Sequence, residues 1–320
     1  MPAPLLRDPD DLTPAWLAQA LGEPVARFAV SDGQGNWSRQ VALRVELADG
    51  RTRDLRLKLC LGDVFGPSEV DYYTRDYLGL EGAPLVRCFA AHHEPGDGYH
   101  LLLEDLSASH ENQRDIVPTL AYGLAFAEAL AKLHRFHWQS GPAPEPPTLS
   151  RYFDEIRPGV AVLDGLAGRA WALQQAGHEE TFRRRWADPR GMSLLHGDLN
   201  PTNVLAPRGR DGPLYFLDRQ PFDWSLTYGL AVSDLAYAMA PWWPEEAFKA
   251  CAGAVLRRWH ECLDLPGYGW EQTEVDWRLS LRQCLDVPFQ WCAHEDTAQA
   301  MRWLWQAQLQ RVEAAMAAFG

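Results

Sequence analysis

The stretch His196-Gly197-Asp198-Leu199-Asn200-Pro201-Thr202-Asn203 sets a carboxylate and a carboxamide five residues apart, in a loop bounded by Leu194-Leu195 and Val204-Leu205. A short apolar run, Leu214-Tyr215-Phe216-Leu217, then leads into a second carboxylate, Asp218. Phosphoryl transfer calls for such a set: one carboxylate to orient an acceptor hydroxyl and take its proton, and an amide oxygen with another carboxylate to hold Mg²⁺ against nucleotide phosphates. Hard oxygen donors suit Mg²⁺, whereas a zinc site would draw on His or Cys. A strand that ends in Asp places its carboxylate at the mouth of a cleft, within reach of a metal.

Elements able to carry these residues can be read along the chain. Thr13 followed by Pro14 opens a short helix that ends near Gly22. Strands are expected over Val25–Ser31, Arg39–Leu47 and Arg53–Leu61, the middle one alternating as Val41-Ala42-Leu43-Arg44-Val45-Glu46-Leu47. A helix over Pro67–Leu78 and strands near Leu85–Ala91 and Tyr99–Leu103 come next. From about Val117 the pattern turns helical, with one long apolar-faced helix over Leu120–Trp138. A proline-rich connector of extended character covers 141–149, and helices are expected at 165–187, 228–240, 244–263 and 296–318. The strand-like island of Val204–Leu205 and Leu214–Leu217 lies among them. The reading is a β-rich N-terminal part joined to a helical C-terminal part near Glu104–Ser107.

Composition narrows the partners. A chain of 320 residues with 47% hydrophobic and 23% charged residues has the profile of an ordinary globular protein. Its net charge of −13 argues against a nucleic-acid partner, which needs a concentrated positive surface. No apolar run reaches the roughly 18 residues of a membrane span, and Met1–Asp11 lacks the apolar segment of a signal peptide. The cysteines Cys60, Cys88, Cys251, Cys262, Cys284 and Cys292 are scattered, which fits reduced thiols and a cytoplasmic protein.

The loop from His196 to Asn203, with the strand-terminal Asp218 after it, resembles the aminoglycoside phosphotransferase and choline kinase-like group, structural relatives of the protein kinases. Its pattern is nearest to bacterial members described as ecdysteroid-kinase-like. The resemblance implies an α+β, bilobal, protein-kinase-like fold, with a small antiparallel sheet in a nucleotide-binding N-lobe (1–107) and a larger, mainly helical C-lobe (108–320) carrying the catalytic loop and acceptor-binding helices. It further implies ATP as phosphate donor, Mg²⁺ as cofactor, Asp198 as catalytic base, and Asn203 and Asp218 as metal ligands. Lys58, amid Leu55-Arg56-Leu57-Lys58-Leu59, suits the phosphate-contacting lysine, and Glu69 its partner on the next helix, with Asp71 as rival. Leu101-Leu102-Leu103-Glu104-Asp105-Leu106-Ser107 resembles the hinge, so that backbone around Glu104 and Leu106 would meet the adenine edge. The turn Asp32–Ser38 would cover the phosphates through Ser38 or the backbone at Asn36; a plain β-turn explains it equally well.

Several positions depart from the pattern or extend it. Arg219 comes after Asp218 where many relatives carry an aromatic residue, and it cannot fill that apolar seat; a phosphate or the catalytic loop is an alternative target. Asp223 is a second candidate metal ligand. Asp234 matches a residue that braces the catalytic loop, and His196 reads as scaffold. Trp242, Trp243, Trp270, Trp277, Trp291, Trp303 and Trp305, with Glu295 and Asp296, would suit a cationic acceptor as an aromatic cage, although tryptophans at helical spacing also build cores. The acceptor is thus expected to be a small hydroxylated molecule. Two other readings use the same residues: a nucleotide-binding pseudokinase, and a Ser/Thr protein kinase. Against the second, the loop reads His-Gly-Asp and Asp218 is not followed by Phe-Gly.

Overall fold

Thr13 accepts the Trp16 amide through Oγ1 at 3.1 Å and Pro14 fills the first helical position, so the first helix, α1 (Pro14–Leu21), starts where its cap dictates. The computed structural model describes residues 5–34, 38–62, 65–141, 145–167, 171–209, 212–219 and 225–319. After α1 come β1 (Val25–Gln34), β2 (Arg39–Leu47), β3 (Thr52–Leu61) and α2 (Ser68–Asp71), which continues as a π-helical turn over Tyr72–Asp76. Next are β4 (Cys88–Glu94), β5 (Gly98–Glu104), β6 (His110–Asn112), α3 (Leu120–Phe136), α4 (Pro146–Ala167) and α5 (Trp171–Trp186). Then come the short strands β7 (Met192–Leu194), β8 (Val204–Pro207), β9 (Tyr215–Phe216) and β10 (Tyr228–Leu230). The chain closes with α6 (Val232–Met239), α7 (Glu245–Leu263), α8 (Trp270–Gln283), α9 (Asp286–Trp291), α10 (Glu295–Ala300) and α11 (Arg302–Phe319).

The chain divides into two compact units. Met1–Glu111 with Leu205–Asp223 form the first, and Asn112–Val204 with Trp224–Gly320 the second. In the first unit an antiparallel sheet has the order β1-β2-β3-β5-β4. Period-2 alternation sends Val41, Leu43 and Val45 of β2 and Leu55, Leu57 and Leu59 of β3 to one face, where Trp16 and Leu17 of α1 cover them. Cys60, Tyr99, Leu101 and Leu103 point to the other face and pack with Phe65, Val70 and Val86. Lys58 must share that second face, and its cross-strand partner is Leu101. A smaller sheet, β6-β8-β9, carries the strand that leads to Asp218, and the Phe216 amide anchors it to the Pro84 carbonyl at 2.8 Å.

In the second unit α3 packs along α7, α6 against α8, and α4 against α5 and α9. Trp259, Trp277, Phe126 and Phe289 are fully buried among these helices. Arg185 of α5 grips Asp276 of α8 with two hydrogen bonds of 2.6 and 2.7 Å. No described helix is long and apolar enough to cross a membrane.

Some expected elements shift. Residues 228–230 do not begin a helix: Tyr228–Leu230 ladders antiparallel with Met192–Leu194, and α6 starts at Val232. The extended connector ends early, because α4 starts at Pro146, a first-turn position that proline tolerates. The helix expected over 165–187 covers the end of α4 and then α5, and the one over 296–318 is broken between α10 and α11. Helices α8 and α9 have no counterpart among the expected elements, although Trp277 and Phe289 on them are core residues.

Two buried histidines give this fold an acid sensitivity. His100 Nδ1 accepts the Leu6 amide at 3.0 Å, and burial lowers its pKa to about 4. His178 packs edge-on against Phe182, and burial lowers its pKa to about 3. The unfolded chain, with histidines near the ordinary value of about 6.5, therefore binds more protons than the folded one in this range. Stability is present in full above that value and falls as pH drops toward the folded values. The loss should approach about 1.4 kcal/mol per pH unit for each histidine. Denaturant unfolding at pH 7, 6 and 5 checks this: His178→Phe should flatten the decline, and an unchanged slope would show that His178 is not its source.

Candidate active site

Strand register sets the first cluster. Lys58 is buried on the inner face of β3, and its Nζ donates to Glu69 Oε2 at 2.7 Å and to Asp218 Oδ1 at 2.9 Å. Tyr99, on β5 opposite Cys60, donates its hydroxyl to the same Glu69 oxygen at 2.6 Å. Burial draws the Lys58 pKa down, but the Glu69 and Asp218 charges outweigh it and hold the ammonium above its ordinary value. Glu69 is wholly buried, and burial pushes its carboxyl up to about 7 against the pull of Lys58. Asp71 turns away and pairs with Arg75 at 3.0 Å, so Glu69 is the acid that meets Lys58.

Asp218 itself sits at φ 59, in the left-handed region that few residues other than glycine adopt. The next residue, Arg219, holds this backbone in place. It does not occupy an apolar seat: its Nη1 donates to Asp76 Oδ2 at 2.6 Å, with both side chains almost fully buried. Asp76 closes the π-helical turn that continues α2, the helix carrying Glu69. The Arg219–Asp76 pair thus ties together the two segments that supply both carboxylates of Lys58. Local pattern does not reveal this pairing, because 143 residues separate the partners.

The second unit holds the loop His196–Asn203. Gly197 has φ 81, a conformation that suits glycine, and this aims successive amides at one acceptor. The His196 amide donates to Asp234 Oδ2 at 2.7 Å and the Gly197 amide to Asp234 Oδ1 at 2.9 Å. Behind Asp234, Trp259 Nε1 donates to His134 Nδ1 at 3.1 Å, which leaves the His134 Nε2 proton for Asp234 Oδ2 at 3.2 Å. Burial pushes the Asp234 pKa up, but these partners outweigh it and hold the carboxyl below its ordinary value.

Asp198 then presents a carboxylate fixed from three sides. Oδ1 accepts from Asn200 Nδ2 at 3.0 Å and from the Tyr237 hydroxyl at 2.9 Å, and Oδ2 accepts from Asn203 Nδ2 at 3.0 Å. Asn203 Nδ2 also donates to the Asp198 carbonyl at 2.8 Å. The Asn203 amide nitrogen is thereby committed to Asp198, which leaves Oδ1 as the acceptor end. Tyr237 was not singled out from sequence, although it lies one helical turn after Asp234 on α6 and shares its face.

Other expected positions are less engaged. Glu104 ends β5 with its side chain exposed. The Leu106 carbonyl accepts from the Ser109 and His110 amides at 3.0 and 2.8 Å, while its own amide has no partner among the described residues. Ser38 makes no side-chain hydrogen bond among the described residues. Asn36 and Asp223 lie outside the described residues. Among the described residues no three His, Cys, Asp or Glu side chains converge as a metal cluster. Mg²⁺ does not require one, since it keeps several waters and binds through one or two protein oxygens plus phosphates. Asn203 Oδ1 in the second unit and the Asp218 carboxylate in the first are each, taken singly, an oxygen of the type that Mg²⁺ accepts.

An antiparallel N-terminal sheet with a buried Lys–Glu pair, and a helical part with a braced His-Gly-Asp loop, define a protein-kinase-like phosphotransferase. Solved structures agree on the fold. An ethanolamine kinase of Plasmodium vivax is similar with a TM-score of 0.54 at 12% identity, over 96% of this chain and 84% of that one. The apoenzyme of a macrolide 2′-phosphotransferase from Brachybacterium faecium is similar with a TM-score of 0.50 at 17% identity, over 95% of each chain. No curated protein sequence matches the chain. The model of the phosphotransferase enzyme family matches residues 74–274, more than half of the chain, and the chain belongs to that family. It is a small-molecule phosphotransferase. The matched span contains Asp198, Asn203, Asp218, Asp234 and Tyr237; Lys58 and Glu69 precede it and rest on their geometry.

Proposed function

We propose that the protein transfers the γ-phosphate of ATP to a hydroxyl of a small molecule. The observation that carries this reading is the Asp198 carboxylate, held by Asn200, Asn203 and Tyr237 in a loop whose amides Asp234 clamps. Phosphoryl transfer leaves the protein little covalent work, so catalysis rests on positioning and electrostatics. Asp198 orients the acceptor hydroxyl and receives its proton. Lys58, steadied by Glu69 and Tyr99, neutralises charge on the ATP phosphates. Asn203 Oδ1 and Asp218 would hold Mg²⁺, which when bound neutralises and bridges the phosphate oxygens. The Leu106 amide and the Glu104 carbonyl offer a donor and an acceptor to the adenine edge, and Ser38 lies in the turn proposed to cover the phosphates.

The test is transfer from γ-labelled ATP in the presence of a small-molecule extract. Label should enter metabolites of low mass, in a Mg²⁺-dependent manner. Label confined to protein would favour the protein-kinase reading, and none anywhere would favour a pseudokinase.

A further inference from the structure

The second unit contains a cavity of about 200 Å³ whose wall includes Leu199 and Pro201, on either side of Asn200 in the catalytic loop. An apolar cavity of about 150 Å³ holds a benzene ring, so this one has room for a single ring with a substituent. Three of its lining residues are aromatic, Tyr122, Trp242 and Trp243, with the Tyr122 and Trp243 ring centroids 6.1 Å apart. Trp243 is nearly fully buried and lies close against α3 because Gly123 faces it, where a Cβ would meet the indole at 3.0 Å. Trp242 Nε1 is buried with no acceptor among the described residues.

The charges lining the cavity are Arg114, Asp115 and Arg311. Asp115 and Arg114 are exposed, so solvent screens them. Arg311 is half-buried, its one described hydrogen bond runs from Nη1 to the Pro241 carbonyl at 3.3 Å, and no carboxylate pairs with it among the described residues. That is unusual here. Acids outnumber bases 43 to 30, and six other buried or half-buried arginines, Arg53, Arg56, Arg183, Arg185, Arg219 and Arg258, each have a described carboxylate partner. A partly desolvated guanidinium without a counter-ion is a seat for an anion. Glu295 and Asp296, the acids that would favour a cation, are not in this wall.

We infer that the acceptor is a flat, ring-bearing alcohol with a carboxylate-type anionic group, seated in this cavity with the ring on Trp242 and Trp243 and the anion on Arg311. The inference rests on the phosphotransferase reading and goes beyond it by giving the acceptor's charge. A matched series tests it: 4-(hydroxymethyl)benzoate, benzyl alcohol and 4-(hydroxymethyl)benzylamine share a ring and a hydroxyl and differ chiefly in charge. Titrations by calorimetry and indole fluorescence should rank benzoate above alcohol above amine. The benzoate should bind about tenfold tighter than the alcohol, the worth of one charge-assisted hydrogen bond. Arg311→Gln should remove that advantage and leave benzyl alcohol binding unchanged. The amine binding tightest, no ring compound binding, or an unaltered benzoate preference in Arg311→Gln would each overturn the inference. Mg-ATP binding on the same samples separates the two failures. With Mg-ATP bound, those outcomes count against the acceptor assignment alone; without it, the underlying reading falls, and the inference with it.

Discussion

Asp198→Asn is expected to bind Mg-ATP as the parent does and to transfer phosphate about 10²–10⁴-fold more slowly, the usual contribution of a positioned general base. The substitution keeps the shape of the side chain and one oxygen, which can still accept from Asn200 and Tyr237, while Asn203 Nδ2 loses its side-chain acceptor and keeps the Asp198 carbonyl. What it removes is the negative charge proposed to orient the acceptor hydroxyl and receive its proton. The effect should therefore fall on kcat and leave the ATP KM nearly unchanged. Tyr237→Phe deletes one of the three donors and should show a smaller loss in the same direction. Full turnover in Asp198→Asn would remove Asp198 from the chemistry and shift the role of the whole loop toward binding.

Breaking the Arg219–Asp76 pair should produce the second large effect. Both side chains are almost fully buried and their atoms meet at 2.6 Å. Removing one partner breaks a buried ion pair, which typically costs about 3–5 kcal/mol; after loss of Arg219 the Asp76 carboxylate keeps Arg75 at 2.9 Å, which places the effect toward the lower end. Arg219→Met and Asp76→Leu, each alone, should lower stability by that order in denaturant unfolding. The double variant should recover much of the loss, because replacing both members of a buried pair with apolar residues is often near neutral. Its ATP KM should nevertheless stay raised, since the charged link between the Asp218 segment and the turn after Glu69 would be gone, with the long Ser68 Oγ hydrogen bond to the Arg219 carbonyl at 3.4 Å a weaker tie. Additive losses in the double variant would mean that the two residues act independently.

The residues proposed to bear the chemistry can be picked out where local pattern carries them. Asp198 and Asn203 are five apart in one loop, and Asp218 ends an apolar run. Lys58 is legible because alternation on β3 turns it to the face away from Leu57 and Leu59. Helix position alone narrows its partner to Glu69 or Asp71, and only packing separates them, since Glu69 is buried and Asp71 meets Arg75. The illegible part consists of contacts between distant segments. Tyr99 reaches Glu69 across 30 residues and Trp259 reaches His134 across 125, and no local spacing encodes either approach. Arg219 shows the same limit in sharper form: sequence exposes the misfit with an aromatic seat, while its partner emerges only from the fold. The tryptophans go the other way. Trp277 stacks with Phe248 in the core, and of the seven only Trp242 and Trp243 line the cavity.

The most direct test of Mg-ATP binding at Asp218 is thermal and denaturant unfolding with ATP plus Mg²⁺, with ATP plus a chelator, and with neither, for the parent and for Asp218→Asn. Mg-ATP at about 100 times its dissociation constant should stabilise the parent by about 2.7 kcal/mol. Chelation should remove most of that gain, and Asp218→Asn should show little of it at the same concentrations. A parent protein that is folded yet indifferent to Mg-ATP, or an Asp218→Asn variant stabilised as strongly as the parent, would contradict the assignment.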